Sequence, residues 1–82
     1  METILRAIEL LDQIEQDPSV PKNVRVKVKN AITALQEENS GLALKIDKSL
    51  QELDDVADDP NVPSFTRTQI WNVVSLLEIK KP

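Results

Sequence analysis

The chain predicts an all-α fold, a four-helix up-and-down bundle made of two similar αα-hairpins. Three observations lead there. Apolar residues recur at helical spacing in four separate runs. Two proline-bearing stretches, Asp17-Pro18-Ser19-Val20-Pro21 and Asp59-Pro60-Asn61-Val62-Pro63, each lie between one run and the next. Both stretches, with the runs around them, align at a single offset of 42 residues.

The first run covers residues 2–16, where Ile4, Ala7, Ile8, Leu11 and Ile14 form an apolar stripe that Leu5 and Leu10 widen. It ends at Asp17-Pro18, because the residue before a proline disfavours helix and proline has no N–H to continue one. Pro21 has the fixed φ that suits the first turn of a new helix. The second run then extends from 22 to about 38, with Val24, Val28, Ala31, Ile32 and Leu35 on one face. Val24, Val26 and Val28 alone also fit a strand, since β-branched residues favour pleated surfaces. That reading fails because the 3.6 period continues past Val28 and no second strand exists to pair with it. Gly41, the only glycine, sits after Asn39-Ser40, where a left-handed residue would end the second helix; Asn39 is the other candidate for that role. The third run, 42–57, presents Leu42 or Ala43, Ile46, Leu50, Leu53 and Val56 or Ala57. After the second proline turn, the fourth run, 64–79, presents Ile70, Val73, Val74 and Leu77, and Lys80 and Lys81 follow at its negative pole. Short connections make these helices antiparallel neighbours.

Placing residues 11–36 on 53–78 yields nine identities: Leu11/Leu53, Asp12/Asp54, Asp17/Asp59, Pro18/Pro60, Val20/Val62, Pro21/Pro63, Arg25/Arg67, Asn30/Asn72 and Leu35/Leu77. The expectation is therefore one domain, 1–82, with an internal duplication of 1–38 and 43–80. A lone hairpin has one apolar face and nothing to cover it, and two hairpins face to face cover each other.

Composition removes several function classes. With no cysteine there is no disulfide, thiol nucleophile or sulfur-ligated metal, and with no histidine the commonest general base is missing. No glycine-rich phosphate loop is present, and the carboxylates fall at exposed positions. No apolar run approaches the roughly 20 residues of a membrane span. The start, Met1-Glu2-Thr3-Ile4, lacks the basic region of a signal peptide, so a soluble cytoplasmic protein is expected. The net charge of −4 argues against a free-standing nucleic-acid binder. Neither catalysis nor a cofactor is expected.

The residues also resemble a known family. Asp59-Pro60-Asn61-Val62-Pro63, Arg67-Thr68-Gln69-Ile70-Trp71 and Val74-Ser75-Leu76-Leu77-Glu78 are similar to uncharacterised protein family 0147, a small archaeal group. Val20-Pro21-Lys22-Asn23-Val24-Arg25 resembles the family's earlier segment. The resemblance spans nearly the whole chain and implies a helical, four-helix-bundle-like domain and an archaeal source. It implies no activity, since the family has none established, and it transfers no functional residues.

Four groups of side chains remain as candidates. Arg25 and Arg67 lie one turn into the second and fourth helices, with Asp12 and Asp54 near the ends of the first and third. A cross-hairpin Arg–Asp pair, or an arginine reaching the free carbonyls of the preceding helix, accounts for both copies. Asp54, Asp55, Asp58 and Asp59 crowd a helix C-terminus, where carboxylates are unfavourable; a hard divalent cation is one way to favour them. Lys22, Arg25, Lys27 and Lys29 make the second helix basic and suggest contact with phosphate. Trp71 flanks the apolar stripe of the fourth helix, with Arg67 at i−4. Such a tryptophan seals a seam between helices or, if exposed, anchors a partner. Phe65 is expected to pack over the hairpin end.

The expected role is a non-enzymatic structural or protein-interaction module acting through Phe65, Arg67 and Trp71, by self-association or on a protein partner. Two alternatives stand behind it. One is an accessory of a ribonucleoprotein or translation complex, touching phosphate through Lys22, Arg25, Lys27 and Lys29; the other is a divalent-cation binder.

Overall fold

The computed structural model describes residues 2–80. Four helices follow one another: α1 (Glu2–Glu15), α2 (Lys22–Gln36), α3 (Leu42–Asp58) and α4 (Ser64–Lys80). Each packs on two others. α2 lies between α1 and α3, and α4 lies between α1 and α3 on the opposite side. The helices thus occupy the corners of a square with α1/α3 and α2/α4 as its diagonals, an up-and-down bundle of 32 × 20 × 19 Å. Both proline turns fall at one end. The 37–41 connection, the start of α1 and the end of α4 fall at the other.

Burial repeats with the sequence. Among the described residues, each buried position of the first half has its counterpart 42 residues later: Ile4/Ile46, Ala7/Ser49, Leu11/Leu53, Ile14/Val56, Val20/Val62, Val24/Thr66, Val28/Ile70, Ala31/Val73 and Leu35/Leu77. Two of these, Ser49 and Thr66, are polar and do not stand out in an apolar count. The Ser49 hydroxyl lies 2.9 Å from the Lys45 carbonyl and 3.1 Å from the Ala31 carbonyl of α2. Its hydrogen is thereby shared between its own helix and the neighbour, so the buried oxygen is not left unpaired. Ile8, Leu10, Ile32, Leu50, Ala57 and Val74 pack at the margin of the core. Leu42 and Ala43, the alternatives for the start of the third stripe, both lie exposed in the first turn of α3, before the first core residue Ile46.

The turns follow from their residues. The Asp17 amide N–H donates to the Ile14 carbonyl (3.1 Å), and the Val20 N–H donates to the Asp17 carbonyl (3.1 Å). The second turn repeats both bonds, Asp59 to Val56 (3.1 Å) and Val62 to Asp59 (3.2 Å). The aspartate side chains bend back as well: Ser19 N–H donates to Asp17 Oδ1 (2.9 Å) and Asn61 N–H to Asp59 Oδ1 (2.8 Å), the Asx-turn that aspartate favours. Pro21 stands immediately before α2, at its N-cap, and its carbonyl accepts the Arg25 N–H at 3.0 Å. Its fixed φ thus serves the residue before the helix rather than the first turn itself.

The connection from α2 to α3 departs from the expectation. α2 stops at Gln36, not near 38, and Glu37 leaves it in an extended conformation (φ −65°, ψ 121°). No residue among those described has a positive φ, so neither Gly41 nor Asn39 is a left-handed helix stop. Glu37 closes the end locally instead, because its carboxylate accepts the Asn39 N–H at 3.1 Å. Gly41 is the N-cap of α3 (φ −67°, ψ 163°), a conformation open to any residue, with no side chain there to cap the helix. A Cβ at this position would meet nothing within 4 Å.

Gly41→Ser should therefore stabilise the bundle. It adds a capping hydroxyl and restricts the unfolded chain, together about 0.5–1 kcal/mol. In a thermal melt this corresponds to a rise in Tm of about 2–8 °C, and an unchanged or lower Tm would count against this reading of the cap.

Candidate functional site

The charges on the four helices are arranged around α2. That helix bears Lys22, Arg25, Lys27 and Lys29 and no acid. Its neighbour α1 carries Glu2, Glu9, Asp12 and Glu15 against Arg6, and its neighbour α3 carries Asp47, Glu52, Asp54, Asp55 and Asp58 against Lys45 and Lys48. Lys27 pairs with Asp55 of α3 at 3.7 Å, and Lys29 pairs with Glu15 of α1 at 3.9 Å. Both pairs lie at the surface, with Glu15 partly covered, so each contributes about 1 kcal/mol at most. Their importance is directional: Lys27 and Lys29 lean to opposite sides of α2, each toward an acid of its own bundle.

The two repeated arginines behave differently. Arg67 donates through Nε to the Ala57 carbonyl (3.0 Å) and through Nη2 to the Asp59 carbonyl (2.8 Å). These are carbonyls that the end of α3 leaves without a helical partner, and the planar guanidinium spans both. Of the two expectations for the arginines, Arg67 fulfils the second. Arg25 does not copy it. Its Nε is buried and has no hydrogen-bond partner, while its positive charge lies close enough to Asp17 to favour that carboxylate.

Asp17 is held below the usual carboxylate range, first by the Ser19 hydroxyl (2.7 Å) and then by the Ser19 N–H, with Arg25 adding attraction. The carboxylates expected to gather at the end of α3 are dispersed. Asp55 turns to Lys27, and Asp59 folds onto Asn61, with Asn23 Nδ2 also within 3.4 Å. Among the described residues no three acidic side chains converge on a point that could hold a metal.

The apolar candidates are on the surface. Phe65 is 72% exposed and does not pack over the hairpin end, because Val62 and Thr66 already close that end. Trp71 is 55% exposed, at the rim of α4 rather than sealed in a seam. Arg67 and Trp71 are one turn apart and share the flank of α4 that faces α3. Phe65 stands six residues from Trp71, about 120° away around the helix, on the other flank. The structure therefore joins two of the three candidates and separates the third. Ile79, 81% exposed, is a further apolar side chain on α4 that the periodicity did not single out. Its signal was present as an isoleucine that fits no core position.

Two predictions test this geometry. Arg67→Ala should cost about 1.5–3 kcal/mol in urea unfolding, the usual worth of hydrogen bonds from a charged group, while Arg25→Ala should cost about 1 kcal/mol or less. Arg67→Lys should recover only part of the loss, since an ammonium cannot span both carbonyls. The second concerns acid. The folded pKa of Asp17 lies below its unfolded one, so its stabilisation is complete above about pH 4 and lost as pH falls through the folded value. Ser19→Ala should flatten the dependence of Tm on pH below about pH 4; an unchanged slope would show that the turn does not carry it.

The match to known proteins runs along almost the entire chain. A crystal structure of a protein of unknown function, MMP1188, is 41% identical and covers 93% of this chain and 86% of its own, with a TM-score of 0.89. A crystal structure of a protein from Thermoplasma acidophilum, of the same uncharacterised family, is 38% identical and covers 95% and 92%, with a TM-score of 0.91. No curated protein matches. Residues 1–79 fit the model of the uncharacterised protein family UPF0147, and the chain belongs to that family.

Proposed function

We propose that the protein is a small non-enzymatic interaction module that presents the α3-facing flank of α4 to a polypeptide partner. The observation that carries this reading is Trp71, half exposed on a bundle whose buried positions are otherwise filled at every repeat. Tryptophan is the side chain most often responsible for binding energy at interfaces, and one left in water at the rim of a helix is available for that use. The absence of histidine and cysteine supports a role without catalysis. No helix among those described is long and apolar enough to cross a membrane. Contact with phosphate through α2 is less well supported, because Lys27 and Lys29 already face Asp55 and Glu15.

Trp71→Ala separates folding from binding. Unfolding free energy should change by less than about 1 kcal/mol, as expected for a half-exposed residue. Recovery of the partner from a native extract should fall by an amount equivalent to about 2 kcal/mol or more, roughly 30-fold in affinity. Undiminished recovery by the folded variant would remove the proposal.

A further inference from the structure

The two hairpins differ at one edge. In the first, Lys29 of α2 reaches Glu15 of α1, and this ion pair closes the α1–α2 edge. At the offset of 42, the same two positions in the second hairpin are Trp71 and Ala57. The α3–α4 edge has thus exchanged an ion pair for two apolar side chains. The acids around it were not removed with the cation. Asp54 remains where the first hairpin has Asp12, Asp58 stands in place of Gln16, and Glu78 stands in place of Gln36. Asp54 lies on α3, one residue from Asp55 but turned toward the α4 side, and Glu78 lies on α4 two turns from Trp71, about 10 Å along the axis. Asp54, Asp58 and Glu78 are exposed. Arg67, the nearest cation on α4, is committed to the Ala57 and Asp59 carbonyls, and Lys48, seven residues from Asp55, shares with it the flank of α3 that faces α2.

From this we infer that the α3–α4 edge receives a basic segment of a partner polypeptide, which supplies from outside the cation that Lys29 supplies within the first hairpin. An arginine or lysine of that segment lies over the Trp71 indole and pairs with Asp54 or Glu78. A cation over an indole face is favourable, more so as water is excluded, and flanking carboxylates add to it. Charge also argues against other occupants. A second copy carries a net charge of −4, and on its one basic helix, α2, Lys27 and Lys29 already face Asp55 and Glu15; a nucleic acid would bring phosphate onto the acids of this edge. This inference rests on the reading of Trp71 as an anchor and adds the chemistry of what it anchors.

The test uses the full chain and a blocked hexa-arginine peptide, with hexa-glutamine as the neutral control, at about 50 mM salt, where surface charges are only partly screened. Trp71 is the only tryptophan, so its emission reports the edge directly. Hexa-arginine should shift that emission saturably, and hexa-glutamine should not. Asp54→Asn with Glu78→Gln should weaken the peptide about fivefold or more, the worth of two exposed pairs. Glu9→Gln with Glu38→Gln removes the same charge elsewhere and should weaken it less than twofold. Equal weakening by both double variants, or no change in emission, would overturn the inference, as would dimers that depend on Trp71 in the absence of peptide. If Trp71→Ala abolishes partner recovery while Asp54→Asn with Glu78→Gln leaves it intact, Trp71 is an anchor but the partner is not basic.

Discussion

Val20 and Val62 are turn residues that belong to the core, at 2% and 4% exposure. Each is fixed by a hydrogen bond from its own N–H to the aspartate carbonyl three residues back, and each has a proline two residues before it and another immediately after. The chain therefore cannot reverse direction without placing a β-branched side chain between the two helices it joins. This sets how far α2 can slide along α1, and α4 along α3. Every buried layer below the turn inherits that register. The core is made almost wholly of aliphatic side chains, whose packing depends on such a register rather than on the shape of large rings.

Electrostatics then distinguishes helices that the core treats alike. α2 and α4 occupy opposite corners and bury corresponding positions. α2 bears the basic residues that the acidic flanks of α1 and α3 can engage. α4 bears Arg67, Glu78 and Lys80 among uncharged polar and apolar residues. Arg67 attaches it to α3 through the Ala57 and Asp59 backbone carbonyls rather than through an acidic side chain. Four helices of similar length are thus held by the same apolar layers and present unequal surfaces to solvent.

Most of the fold was legible because two kinds of information agreed: the helical spacing of Ile, Leu and Val, and the proline turns. The misreadings have physical causes. Ser49 and Thr66 are buried because their positions correspond to Ala7 and Val24, which apolar counting cannot see but alignment of the halves can. α2 ends at Gln36, short of the expected 38, where the Glu37 carboxylate accepts the Asn39 N–H at a helix end usually closed by glycine. At the candidate site, the nearness of Arg67 and Trp71 could be read from i, i+4 spacing. The opposite placement of Phe65 could have been read from its angle. The different fates of Arg25 and Arg67 could not, because they depend on where two backbone carbonyls point.

The start of α1 and the end of α4 lie at the same end of the bundle as the 37–41 connection, and α1 and α4 are adjacent. That connection joins the end of α2 to the start of α3 across a gap like the one between the end of α4 and the start of α1. The order in which the hairpins are written along the chain is therefore nearly arbitrary for the architecture. A covalent bridge of similar length from the end of α4 to the start of α1, with a break at 37–41, would describe the same bundle read in another order. What makes the molecule directional is its surface, where only one of its two hairpin edges carries a tryptophan.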